Sequence, residues 1–163
     1  MATVTTLASA GGAASTAGRT AYVIDNIVDM AAAVTAKGSA LAAADVIEAL
    51  NIPAQCQILS CGAEVITAHA GTSTDLTLDI GITGGNTDFV ADGFDYDAAS
   101  VGDVTSPVVA ELPLYNASAD TIDILLATMT GTTTGGKIRV WACIVPVDGR
   151  QQEADEVARD FAS

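Results

Sequence analysis

Between about Asp45 and Val147, apolar and polar residues alternate in a series of short runs. DVIEALNI, QILSCGAEVITA, DLTLDIGI, SPVVAELPLYN, DTIDILLATM and GKIRVWACIVPV each read as a strand, separated by clusters of Gly, Pro, Asn, Asp or Thr. Alternation sends successive side chains to opposite faces of a sheet, and a succession of such runs predicts an antiparallel β-sandwich or barrel. The cleanest run is Asp75 to Ile82, with Leu76, Leu78, Ile80 and Ile82 facing inward and Thr77 and Asp79 outward. From Gln57 the same rule puts Leu59, Cys61, Ala63 and Val65 on one face, and Ser60, Gly62, Glu64 and Ile66 on the other. Asp120 to Met129 and Lys137 to Val147 flank GTTTGG and predict a hairpin. Ile122, Ile124 and Leu126 line one of its strands; Ile138, Val140, Ala142 and Ile144 line the other. Trp141 then shares the opposite face with Arg139 and Cys143, which means either that both faces are covered or that Trp141 sits at an interface.

Upstream, YVIDNIVDM (22–30) alternates as a first strand. MAAAVTAKGSALAAADVIEAL, which follows, is rich in Ala, the best helix former, but Gly38 and Ser39 interrupt it. Strand, turn and strand is the reading adopted, with helix as its rival. Residues 1–20 are a low-complexity stretch of Ala, Thr, Ser and Gly, expected to be a flexible N-terminal arm. QQEADEVARDFAS after Gly149 carries Val157 and Phe161 four apart and predicts a tail or short amphipathic helix over 150–163. The domain division is therefore an arm (1–20), a β-sandwich (21–149) and a C-terminal tail (150–163). Pro107 and Pro113 bracket an expected edge strand, since Pro cannot donate to a central ladder. Phe89, Phe94 and Tyr96 gather in an irregular stretch, expected to plug one end of the sandwich, the alternative being presentation to a partner.

Composition narrows the function. Six basic against 20 acidic residues give a net charge of −14, spread along the chain. A field of that sign repels phosphate and anionic lipid, so nucleic acid and membrane are not expected partners. Solubility through self-repulsion is the reading adopted, with docking onto a basic protein surface as the sharper alternative. No stretch approaches a membrane span, and MATVTTLASAGGAASTAG lacks the basic start of a secretory signal, so synthesis in a cytoplasm is expected. The odd number of cysteines (Cys56, Cys61, Cys143) makes no disulfide framework. Cys56 and Cys61 are five apart, which in one regular strand places them on opposite faces. Structural thiols are the expectation.

Chemistry-bearing motifs are scarce. Asp92, Asp95 and Asp97 in ADGFDYD supply hard oxygen ligands but miss the EF-hand order, leaving at most a weak cation site beside a solvated turn. His69 stands between Ala68 and Ala70, outside any nucleophile motif, and reads as an exposed loop residue. GTTTGGK (131–137) superficially resembles a phosphate loop, but its context is a predicted hairpin. No catalytic, cofactor-binding or metal residue is assigned, and no enzyme activity is expected.

One resemblance adds to this reading. D-V-I-E-A-L-N-I-P-A (45–54), L-S-C-G-A-E-V-I-T-A (59–68), T-L-D-I-G (77–81), A-D-T-I-D (119–123) and the late K-I-R-V-W-A strand together resemble small structural proteins of tailed phages. Marine and cyanobacterial phages carry many of these, and the type includes capsid decoration, or cement, proteins. The resemblance covers roughly residues 22–148. It implies a jelly-roll-like sandwich, a homotrimer, and a seat on the virion capsid where major capsid proteins meet. It implies no catalytic residue and no cofactor. The N-terminal arm is the first candidate for the lattice contact and the loop around Phe94 the second; a tail, neck or fibre-associated module, one that binds host glycans included, is the rival role.

Overall fold

Asp29 ends a strand and starts a helix with one carboxylate. Its Oδ1 accepts the amides of Ala31 (2.9 Å) and Ala32 (3.4 Å), satisfying donors that a first helical turn leaves open. The helix runs over eight residues, Met30–Lys37, and stops at Gly38, whose left-handed φ of 74° lets its N–H reach back to Val34 and Thr35. The expected strand–turn–strand is thus corrected: the Ala-rich segment after the first strand is helical up to Gly38, as its two caps dictate. Lys137 lies 3.3 Å from the other Asp29 oxygen. Burial opposes ionisation of Asp29, but the Lys137 hydrogen bond and the two helix amides outweigh it and hold the carboxyl below its ordinary value of 3.8. A depressed native pKa contributes stability that is present above 3.8 and lost as pH falls through the native value. Asp29→Ala is therefore expected to cost about 1 kcal/mol near neutral pH, with the gap to the wild type closing in acid; urea unfolding at a series of pH values measures it.

The computed structural model describes residues 3–5, 21–82, 85–105 and 112–147. In chain order the elements are β1 (Thr3–Thr5), β2 (Tyr22–Asp29), α1 (Met30–Lys37), β3 (Val46–Ile52), β4 (Cys56–Gly71), β5 (Asp75–Gly81), β6 (Ala91–Asp95), β7 (Leu114–Asn116), β8 (Asp120–Thr130) and β9 (Thr133–Pro146). Thr3–Thr5, within the expected arm, runs parallel to Val46–Glu48 at a sheet edge. The remainder of that arm and the expected C-terminal helix lie outside the described residues.

Two sheets stack face to face, in the orders β1-β3-β8-β5-β6 and β2-β9-β4-β7. Counting β2 to β9 as eight strands, one sheet holds the first, eighth, third and sixth, and the other the second, seventh, fourth and fifth. All eight pair antiparallel in a double-sheet jelly roll, with β1 appended. The all-β, jelly-roll-like expectation holds. The expected hairpin does not. β8 and β9 belong to different sheets, and Gly131–Thr132 carries the chain across. The β4–β5 link crosses beside it, and the two crossings bond to each other: Thr72 N–H donates to Thr132 O at 2.8 Å and the two threonine hydroxyls meet at 3.0 Å.

Inside, the predicted alternation is realised on β5, β8 and β9: Leu76, Leu78, Ile80, Ile122, Ile124, Leu126, Ile138, Val140, Ala142 and Ile144 are fully buried. Each large side chain removed from water this completely contributes about 1.5–3 kcal/mol before entropy is counted. On β4 the alternation is broken by a bulge between Ile58 and Ser60. It turns Leu59 outward to 40% exposure, against expectation, while Ile58, Cys61, Ala63 and Val65 stay inside. The same extra residue brings Cys56 and Cys61 both into the interior instead of to opposite faces. All three cysteines are free. Burial raises the Cys56 thiol pKa and pushes that of Cys61 up to about 12. A second bulge, on β3 between Glu48 and Leu50, takes Ala49 out of the ladder; its carbonyl accepts Asn26 Nδ2 from the opposing sheet at 2.7 Å. A short edge strand, β7, follows Pro113, and the strand expected between Pro107 and Pro113 falls on 106–111, outside the described residues.

A candidate docking face on the four-stranded sheet

Pairing registers define what each sheet shows to solvent. Across β2, β9 and β4, the outward positions line up as Val23–Cys143–Ser60, Asp25–Trp141–Gly62 and Ile27–Arg139–Glu64. A short segment after β6 extends the last row, because Val104 bridges to Glu64 while Thr105 N–H and Gly102 N–H bond to Ala63 and Val65 carbonyls. Tyr115 lies level with Gln57 and Val145 at one end of the same surface. Val23, Ile27, Val104 and Tyr115 are 62%, 49%, 64% and 56% exposed, so four of the seven exposed large apolar side chains among the described residues share this one face. The outward positions of the other sheet are more polar: Glu48, Thr77, Asp79, the buried Asp123 and Thr128, with Val46 and Leu125 as an apolar row beside Asp79. There Thr77 and Thr128 bond at 2.8 Å and Thr121 donates to Asp123 at 2.6 Å. One side of the sandwich exposes large apolar side chains, and the other is mostly acidic and hydroxylated.

Trp141 occupies the middle of the apolar face because Gly62 lets it. A Cβ at position 62 would lie 2.8 Å from Trp141 Cζ2, so the indole lies directly on the β4 backbone. Beside it, Arg139 Nη2 donates to Glu64 Oε2 at 2.5 Å, while Arg139 Nε is buried with no partner. Val23, Asp25, Arg139 and Trp141 line a shallow depression on this face. Half-buried tryptophan and arginine ringed by exposed aliphatics is the pattern of an interface centre. Three strands about 4.8 Å apart and some six residues long, with β7 and the segment around Val104 alongside them, give a footprint of roughly 400 Å². The sequence reading identified the Trp141–Arg139–Cys143 face but not its apolar neighbours on β2 and β7, which only the strand order brings together.

The other sequence candidates disperse. Asp97 accepts Leu76 N–H at 2.5 Å, tying the chain after β6 back to β5, and Asp95 accepts Ala98 N–H at 3.2 Å, closing a local turn. Asp92 is exposed at the start of β6. No group of three potential metal ligands exists among the described residues. His69 is a correction: it is a half-buried residue of β4, not an exposed loop residue, and its Nε2 meets Ser73 Oγ at 3.0 Å. Its ring stands edge-on to Tyr96, 5.8 Å between centroids, and no described carboxylate is bonded to it. Phe89 and Tyr96 are fully buried, and Phe94 packs against the core, so the aromatic stretch plugs the sandwich as expected. An open groove of about 460 Å³ separates the sheets at the Tyr22 end, lined by Ile24, Asn51, Ile52, Pro53, Asp120 and Thr121. Among its described lining residues, Asp120 is the one charged side chain. No described helix is long and apolar enough to cross a membrane.

No family model matches the chain, and no curated protein matches it either. Among solved structures it is similar to a chain in the capsid asymmetric unit of cyanophage Pam1, with a TM-score of 0.57 and 19% identity over 86% of this chain and 92% of that one. It is likewise similar to a chain in the capsid of Ralstonia phage GP4, with a TM-score of 0.59 and 17% identity over 89% of this chain and 98% of that one. The resemblance to phage virion structural proteins therefore extends to the whole fold, a jelly roll shared with chains found in phage capsids.

Proposed function

We propose that this chain is a phage capsid decoration protein, non-enzymatic, which seats its four-stranded sheet on the major capsid protein and stabilises the shell by bridging neighbouring capsomers. The observation that carries the reading is the asymmetry of the sandwich: an apolar face centred on Trp141, opposite an acidic one, on a fold found in phage capsids. The acidic face and the net charge of −14 stay in water and keep copies from sticking to one another. A footprint near 400 Å² is about half of the 800 Å² per partner that a stable interface buries. Linking copies as a homotrimer offsets that deficit, since each further contact is made at high effective concentration. Heads assembled without the chain are expected to release DNA at a lower temperature, and added protein to restore the threshold; an unchanged threshold would remove the stabilising role.

Cys143 gives a direct footprint of the contact. It is half-buried and lies on the apolar face opposite Val23, whereas Cys56 and Cys61 are buried. Maleimide should label Cys143 first in the free protein and lose access to it on the particle, by about tenfold or more in rate. Mass spectrometry of the labelled peptides reads this out, and equal labelling in both states would put the contact elsewhere.

A further inference from the structure

Three of the four sheet edges are poor templates for another strand. β1 and β7 are three residues long, and β6 is five residues long with a register break against β5. β2 is the exception. Its eight residues pair with β9 without a single register shift, and no described strand pairs with its other edge. It contains no Pro, Lys or bulge, and the exposed charge on it is Asp25. Its outward side chains alternate Val23, Asp25, Ile27. Asp25 is exposed and makes no hydrogen bond or ion pair among the described residues, since the neighbouring Arg139 is engaged by Glu64.

We propose that β2 accepts an extended segment of a protein partner as an added strand, with a lysine or arginine level with Asp25 and aliphatic side chains level with Val23 and Ile27. The added strand continues the apolar face of the four-stranded sheet, so the inference rests on reading that face as a docking surface and names the chemistry of what docks. Main-chain hydrogen bonds supply affinity and the alternate side chains supply selectivity. A second copy of this chain is the wrong occupant. The antiparallel register that matches Val23 with Ile27 sets Asp25 against Asp25, and like charges directly opposite are destabilising.

The test uses the full chain and three eight-residue peptides, titrated by calorimetry at physiological ionic strength. One carries valine, lysine and valine at successive alternate positions with threonine between them, one has glutamate in place of that lysine, and the third is the lysine peptide N-methylated at every second residue. The lysine peptide is expected to bind, the glutamate peptide to bind at least tenfold more weakly, and N-methylation on the bonding edge to weaken binding about tenfold. Asp25→Lys, which leaves the core untouched, should weaken the lysine peptide three- to fivefold. Equal binding of the N-methylated peptide, or indifference to Asp25→Lys, would reduce the effect to general attraction by an acidic chain and overturn the inference; so would no binding at all. If the peptides fail while the protein still docks on heads, only the strand addition is lost. If they bind while the protein ignores heads, only the capsid role is lost.

Discussion

Trp141→Ala is expected to release the protein from phage heads while leaving it folded. Aromatic side chains at the centre of an interface commonly account for 2–4 kcal/mol each, which is roughly 30- to 1,000-fold in affinity. Here the indole is central in two directions, midway along β9 and flanked by β2 and β4. Its removal bares Gly62 and leaves the buried side chains of β9 in place, because Val140 and Ala142 point the other way. Gly62→Val should give the same loss by a different route, since the new side chain cannot coexist with the ring at 2.8 Å. Co-sedimentation with heads lacking the protein measures both variants, and circular dichroism checks that they fold. Binding retained by both would remove the docking face from the account.

Tyr96→Ala is expected to cost the most stability of any single change outside the strands. The side chain is fully buried, its hydroxyl donates to Thr67 O at 3.2 Å, and it closes one end of the sandwich. Burial, with the Asp29 carboxylate adding to it, pushes the phenol pKa up, so the group stays a neutral donor throughout the working range. Truncating an aromatic in such a site costs about 3–5 kcal/mol, or about 10 °C in Tm for a domain of this size. Tyr96→Phe, which keeps the ring, should cost only about 1 kcal/mol. Gly136 provides an independent check. With φ at +118° and a virtual Cβ 2.2 Å from the Tyr96 hydroxyl, it admits no side chain, and Gly136→Val should match or exceed Tyr96→Ala. Thermal unfolding of the three variants ranks them; a small effect of Gly136→Val would mean that the plug is loosely seated.

Much of this architecture is written in the side-chain pattern, and what is missing from the pattern is consistent. Alternation fixed which residues of β5, β8 and β9 face inward, because that depends only on the strand itself. It could not tell which strand pairs with which. β8 and β9 alternate identically whether they form a hairpin or lie in opposing sheets, and proximity in sequence favoured the wrong choice. The bulge at Leu59 was invisible for a related reason: an extra residue reverses the parity of everything before it, and its cause is the ladder with β9, not the local sequence. α1 did leave a signal, Asp29 eight residues before Lys37 and a glycine just after, but Ala-rich sequence beside a strong strand made either reading defensible. Trp141 was placed on the correct face. Its companions Val23, Ile27, Val104 and Tyr115 come from three other segments and could not be assembled before the jelly-roll order was known.

The central claim is that this protein coats a phage head, and its copy number per particle tests that claim most directly. Quantitative mass spectrometry of purified virions, with the major capsid protein as internal standard, is expected to find the chain in hundreds of copies, near one for each major capsid subunit or one trimer for each lattice three-fold. A few to tens of copies would contradict decoration and assign the chain to the tail or neck, and absence from the particle would contradict a virion role altogether.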